Sequence, residues 1–329
     1  MTKLASKKTI NWGIIGLGNI ANKFAQDLLA VENCKLYAVA SRSEEKANEF
    51  AQKYNATTAY TNYEDLAKDA NIDAVYIATP HVFHKAHSLL CLEHGIAVLC
   101  EKPFAMNAEE VSQMITKSKE NNVLLMEALW TYFLPHYQFV LNELKNKIYG
   151  NVLKLEADFG FKSEHSKSSR VWKKSLGGGS LLDIGIYPVF AALSTLGKPN
   201  TIKAEATFSN TKVDENCSMV FNYDNNVSAF LKSTFLEQTK TEAIFYCENG
   251  TIKVNTQFHC PTTVTIIDVN GKEKTLDFNY NTIGYSYEIR HFNQLLRDHK
   301  TESDIMTFDF SEKLIQTLDA IRKEINLEY

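Results

Sequence analysis

TINWGIIGLGNIANKFAQDLLAV, residues Thr9–Val31, decides the fold. It opens as a strand-like apolar run, closes as a segment with apolar residues at helical spacing, and joins the two through Gly16-Leu17-Gly18-Asn19-Ile20-Ala21. In such a G-x-G-x-x-A run the first glycine permits a tight turn. The second lets the backbone approach a pyrophosphate, and a small third residue lets helix and strand pack closely. The helix N-terminus adds N–H groups and a positive dipole end. Gly16, Gly18, Asn19 and Ile20 are therefore the expected cofactor contacts. Standing between a strand and a helix, the run reads as a dinucleotide site and not merely as a structural glycine turn.

Outward from this stretch the alternation continues. CKLYAVAS, TTAY, DAVYIAT, IAVLC and NVLLMEA read as strands, and EEKANEFAQKYN, YEDLAKD and VFHKAHSLLCLEHG read as helices. Ser43 is placed to cap one helix, and Asn107 with Glu110 three residues on forms a capping-box pattern for another. Strict alternation predicts a parallel sheet covered on both faces. After about residue 150 the pattern changes to strand-like segments separated by Asn-Gly and Asp-Asn-Asn turns, with one helical insertion near 181–196 and two helices at the end. The fold class is α/β. Residues 1–126 form a dinucleotide-binding Rossmann domain, and 127–329 form an α+β domain on a largely antiparallel sheet. The C-terminal helices are candidates to pack back on the first domain.

At 329 residues, 44% hydrophobic and 22% charged, the composition is that of an ordinary two-domain globular chain. The net charge of −4, without basic runs, points to neither nucleic acid nor an anionic membrane surface. No signal-peptide pattern and no uninterrupted apolar stretch near the ~20 residues that span a bilayer is seen, so a cytoplasmic address is expected. Six cysteines without a C-x-x-C pair read as reduced thiols. Cys100 lies beside Glu101 and Lys102, but no His and acid spacing makes it a nucleophile.

The end of the second strand bears on the choice of dinucleotide. An NAD site usually presents Asp or Glu there; this chain presents Ser41-Arg42-Ser43. A guanidinium beside hydroxyls suits a 2′-phosphate, so NADP(H) is the expected cofactor and Ser41 and Arg42 its contacts. Ligands of open parallel sheets lie beyond the carboxyl ends of the strands, which brings Pro80, His81 and Lys102 toward the nicotinamide. Pro103 restricts Lys102 to extended backbone and aims its ammonium. In LGGGSLLDIGIYPVFAALSTLGKPN, Ser180 is placed to cap a helix, Asp183 and Tyr187 are spaced to share one face of it, and Pro188 is expected to kink it. A carboxylate, a phenol and a lysine make a proton-transfer set for a carbonyl/alcohol couple, with Lys102, Tyr187 and Asp183 as the catalytic candidates.

ATPHVFH, EKPFAMN, MEALWTYFLP and GGGSLLDIGIYP, following the glycine run in that order across nearly the whole chain, resemble the Gfo/Idh/MocA oxidoreductase family. The wording is most similar to the branch of dimeric dihydrodiol dehydrogenase, NADP-dependent D-xylose dehydrogenase and glucose–fructose oxidoreductase. The resemblance implies an open-faced sheet in the second domain and a catalytic Lys102. It adds Thr79, His84 and Glu101 to the cofactor contacts. Tyr187 stands where many members have His, and Asp183 would bind substrate hydroxyls. Trp130, Phe133 and Phe161 become candidates for an apolar wall against a sugar ring or arene diol. Related sequences often read WTRF where this chain has Trp130-Thr131-Tyr132-Phe133, so a cationic contact has become a neutral aromatic one. Members often pair through the open sheet, which implies a homodimer.

His81, His84 and His87 invite a metal reading, but no further ligands converge by spacing, so no metal is expected; His87 is read as lying along a helix surface. The aromatic run 126–139 reads as packing first and substrate contact second. The sequence thus reads as an NADP(H)-dependent oxidoreductase of a polyhydroxylated small molecule, an aldose or trans-dihydrodiol type. Two other readings stay open: a non-catalytic NADP-binding regulator, and an aldose–ketose oxidoreductase that never releases its nucleotide.

Overall fold

The computed structural model describes residues 9–164 and 169–329. The chain divides into two compact units, one of residues 1–130 and 281–312, the other of residues 131–280 and 313–329.

In the first unit, β1 (Ile10–Ile15), α1 (Asn19–Leu28), β2 (Cys34–Ala40), α2 (Glu44–Tyr54), β3 (Thr58–Tyr60), α3 (Tyr63–Ala67), β4 (Ala74–Ile77), α4 (His84–Glu93), β5 (Ala97–Glu101), α5 (Ala108–Asn121) and β6 (Leu125–Ala128) alternate strictly. The strands form a six-stranded sheet in the order β3-β2-β1-β4-β5-β6, with every pairing parallel. This is the doubly wound order, and its switch point lies between β1 and β4. β4 and β5 are buried at every position, as a sheet covered on both faces requires. Ser43 Oγ accepts from Lys46 N, and Asn107 Oδ1 from Glu110 N at 2.9 Å, so both expected caps form. The returning Glu110 carboxylate accepts from Met106 N, one residue before the cap.

The second unit contains α6 (Pro135–Lys145), β7 (Val152–Gly160), α7 (Ile186–Leu196), β8 (Thr201–Phe208), β9 (Asp214–Asn222), β10 (Ser228–Thr234), β11 (Ala243–Cys247), β12 (Gly250–Val254), β13 (Val264–Asp268) and β14 (Glu273–Leu276). Its eight strands run in the order β14-β13-β12-β11-β7-β10-β9-β8. The sheet is mostly antiparallel, as the turn residues imply, but β7 and β10 pair in parallel at its centre. One face is covered by α7; Leu155, Ala157, Ala229 and Leu231 point into that side. Among the described residues, only Lys174–Leu196 is long and apolar enough to cross a membrane by length and composition, and it is buried inside the protein.

Residues 281–312, which a linear cut at residue 126 would leave in the second domain, are part of the first unit. The reason is a local charge–amide interaction. Asp27, buried on α1, accepts backbone N–H bonds from Ile283 at 3.1 Å, Gly284 at 2.9 Å and Ser286 at 3.0 Å, at the entry to α8 (Tyr285–Arg297). Trp12 on β1 then donates its indole N–H to Asn293 and packs against Phe292. The last helix, α9 (Phe308–Glu324), follows. Replacing Asp27 by Ala strands buried amide donors and is expected to cost about 3 kcal/mol or more, with Asp27→Asn intermediate, as read from urea unfolding.

Candidate active site

In the first unit the candidate residues gather at the carboxyl ends of β1, β2, β4 and β5. Gly16 has φ +90°, and a Cβ there would stand 2.8 Å from the Ala78 backbone, so only glycine suits this crossing of β1 and β4. A Cβ on Gly18 would meet nothing within 4 Å, and no side chain caps the first turn of α1. Asn19 and Ile20 lead that turn. A glycine open toward solvent before uncapped amides fits a dinucleotide pyrophosphate. Ser41 Oγ accepts from Ser43 N, and the exposed Arg42 lies beside the Tyr63 phenol.

The β4 and β5 ends are linked by buried groups. Thr79 Oγ1 meets His87 Nδ1 at 3.0 Å, and the His87 ring packs on Tyr63 and Phe83. His87 is therefore half-buried and engaged by its neighbours on one side of the helix. Burial, then the positive charges of His84 and Arg42, push its pKa down to about 4. Pro80 precedes a short 3₁₀ turn, His81–Phe83, in which His81 is buried. His84, fully buried, bonds the Thr79 carbonyl through Nε2 at 2.8 Å and the Pro103 carbonyl through Nδ1 at 2.9 Å.

Glu101 turns inward, accepting from the Tyr76 hydroxyl and from Lys102 N. Tyr76 stacks on Phe24, and burial with the Glu101 charge holds its phenol far above the ordinary value. The Lys102–Pro103 peptide is cis. One residue further, Phe104 N donates to Glu127 Oε1 at 3.0 Å. Glu127 is fully buried at the end of β6, and desolvation raises its pKa to about 7. Trp130 stacks on Tyr285 with 4.3 Å between rings.

In the second unit Asp183 and Tyr187 lie in the segment after the three glycines, in a form the sequence did not suggest. Leu181–Gly185 is a π-helical turn that runs into α7 just before Pro188. Proline has no N–H to close the bond to residue 184, and its ring crowds the preceding turn, so a wider turn accommodates it. Four-residue spacing on one regular helix therefore does not describe Asp183 and Tyr187. Nor does Ser180 cap the helix: its hydroxyl donates to Asp214 Oδ2 at 2.8 Å, while Leu181 N donates to the same oxygen at 2.7 Å. Gly179, at φ +121°, lies so close to Asp214 that a Cβ would stand 2.1 Å from its Oδ1.

Asp183 accepts from Arg170 Nη2 at 2.6 Å. The Tyr187 ring packs against His259 at 4.8 Å and Phe159 at 5.7 Å between centroids. Phe161 belongs to the cluster of Trp172, Ile184, Val213 and Phe235. Phe133 is buried beside Tyr132, and Tyr132 meets Phe190 edge-on. Arg170, Asp214 and His259 escaped the sequence reading because each is distant in sequence from its partner and carries no spacing signal. No group of three or more potential metal ligands gathers among the described residues.

A family model described as "Oxidoreductase family, NAD-binding Rossmann fold" matches residues 10–129, and the GFO/IDH/MocA C-terminal domain matches residues 137–253. The chain belongs to the Gfo/Idh/MocA oxidoreductase family. It is 36% identical over 330 residues to trans-1,2-dihydrobenzene-1,2-diol dehydrogenase of Xenopus tropicalis, covering 97% of this chain and 98% of that one. Identity to scyllo-inositol 2-dehydrogenase (NADP(+)) of Bacillus subtilis is 33% over 328 residues, with the same coverage. Among solved structures, a 3-ketoreductase from Actinomadura kijaniata shares the fold with TM-score 0.88 at 23% identity, over 96% of this chain and 98% of that one. For a Gfo/Idh/MocA member the two-unit division and both sheets are thus accounted for, and the resemblance read from the motifs holds.

Burial raises the Asp214 pKa to about 7. A carboxyl held higher in the fold than in the unfolded chain binds a proton that unfolding releases, so stability falls as pH rises from the ordinary carboxylate range through about 7. Asp214→Asn, which resembles the protonated form, is expected to leave the melting temperature little changed near pH 5. At pH 8 it is expected to raise it, which thermal melts at the two pH values would read directly.

Proposed function

We propose that this oxidoreductase is an NADP(H)-dependent dehydrogenase acting on a CH–OH group of a polyhydroxylated small molecule, either a sugar-like polyol or a trans-dihydrodiol. The observation that carries the reading is similarity over 97% of the chain to dehydrogenases of both substrate types. Arg42 and Ser41 at the end of β2, in place of an acidic residue, support preference for the 2′-phosphorylated cofactor. Bound nicotinamide supplies the hydride acceptor or donor. Tyr187 takes the hydroxyl proton in oxidation and returns it in reduction. Lys102 polarises the substrate oxygen. Asp183, oriented by Arg170, accepts hydrogen bonds from neighbouring substrate hydroxyls. The presence of both Lys102 and Tyr187 argues against a non-catalytic regulator. Trp130, Phe133 and Phe161 are assigned to the substrate's apolar side.

The open face of the large sheet supports a homodimer. It displays Phe230 and Ile244 among the ion pairs Lys154–Glu156, Lys232–Glu237 and Lys253–Glu242, a mixture of signs that a second copy can match. A cytoplasmic location belongs to the same reading.

NADPH formation from NADP⁺, followed by absorbance over D-xylose, D-glucose, scyllo-inositol and trans-1,2-dihydrobenzene-1,2-diol, tests the assignment. Turnover of any of them is the expected result. No turnover by folded protein, or stoichiometric nucleotide already bound at purification, would favour the regulator or the tightly held cofactor respectively. Tyr187→Phe is expected to lower kcat by ~10²-fold or more while NADP⁺ binding is kept. Arg42→Ala is expected to reduce the ratio of NADPH to NADH affinity measured by fluorescence titration.

A further inference from the structure

The Pro103–Phe104 peptide group is gripped on both sides. Its carbonyl oxygen lies 2.9 Å from His84 Nδ1 and its N–H donates to Glu127 Oε1 at 3.0 Å, and both side chains are buried, His84 at 0% and Glu127 at 2% exposure. The grip acts immediately after Lys102. The other His84 nitrogen faces the Thr79 carbonyl at 2.8 Å, which ties the same ring to the end of β4.

A carbonyl oxygen only accepts, so a ring whose two nitrogens both meet carbonyls must donate from both. Imidazole does so only when doubly protonated. A buried imidazolium needs a compensating charge. Glu127 lies across the same peptide and in its ionised form provides one, in the direction that polarises the peptide: cation on the carbonyl, carboxylate on the amide. Glu101, Lys102 and Ser311 are the other groups that bear on Glu127, and His81 and His87 flank His84.

We propose that His84 and Glu127 are positioning residues which clamp the Pro103–Phe104 peptide between imidazolium and carboxylate and thereby fix where the Lys102 ammonium points. His84 is then a support behind the cofactor strand ends and not itself a cofactor contact. The inference rests on the reading of Lys102 as catalytic.

The test uses the full chain with trans-1,2-dihydrobenzene-1,2-diol or scyllo-inositol, whichever is oxidised. Glu127→Leu and His84→Leu are each expected to lower kcat by ~10²-fold, the usual cost of misplacing a catalytic group by about 1 Å, with NADP⁺ affinity and KM changed little. Glu127→Gln keeps an acceptor for Phe104 N but removes the charge that faces the imidazolium, and is expected to recover kcat only in part. In a Lys102→Met background, adding Glu127→Leu is expected to cost nothing further. An undiminished effect of Glu127→Leu in that background, or full recovery with the uncharged Gln, overturns the proposal. Full turnover by Lys102→Met alone would instead overturn the reading of the lysine. Should the leucine variants fail to fold, ¹⁵N spectra of the wild-type His84 ring decide. Protons on both nitrogens at neutral pH are expected, and one unprotonated nitrogen rules the clamp out.

Discussion

Three backbone amides converging on the Asp27 carboxylate hold the first unit together as one body. A parallel sheet needs cover on both faces, and residues 9–128 leave part of this to a helix that begins only at Tyr285. Asp27 receives that helix at its first turn, where uncapped N–H groups and the positive dipole end favour a carboxylate. Trp12, Phe24, Tyr76, Tyr285 and Phe292 then pack as one aromatic cluster between sheet and helix.

At the rim beyond the carboxyl ends of the strands, direct and supporting roles separate. Residues with backbone open to a ligand, such as Gly18, can meet a pyrophosphate. Residues whose polar atoms are also engaged by the fold, such as His84 with two carbonyls and Glu101 with Tyr76 and the Lys102 amide, tie the rim to the strand ends behind it. The second unit repeats this division. Asp183 and Tyr187 carry the chemistry in the proposed reading, while Asp214 anchors the start of the π turn and Arg170 orients the carboxylate.

Much of this was legible in the chain. Strand–helix alternation, the glycine run and the caps at Ser43 and Asn107 are local patterns, and local patterns are what a one-dimensional reading resolves. The residues it missed or misplaced are of another kind. Glu127 reads as one acid in an aromatic stretch, His87 as a helix-surface residue, and Ser180 as a cap. Each finds a partner outside its own element: Glu127 at Phe104, His87 at Thr79 and Tyr63, Ser180 at Asp214. The π turn was out of reach because Pro188 announces a disturbance without saying whether the helix bends, breaks or widens.

By itself, then, the sequence determined the class of the fold, the place of the phosphate-binding turn and the family, because hydrophobic period, turn chemistry and ordered motifs act over a few residues at a time. Tertiary structure alone decided which buried acids and imidazoles face one another, that residues 281–312 complete the first unit, and that the helix of Tyr187 begins with a π turn. Those outcomes depend on burial. A carboxyl or an imidazole acquires its charge, its partner and its role only when folding removes water from around it and leaves particular backbone groups in its place.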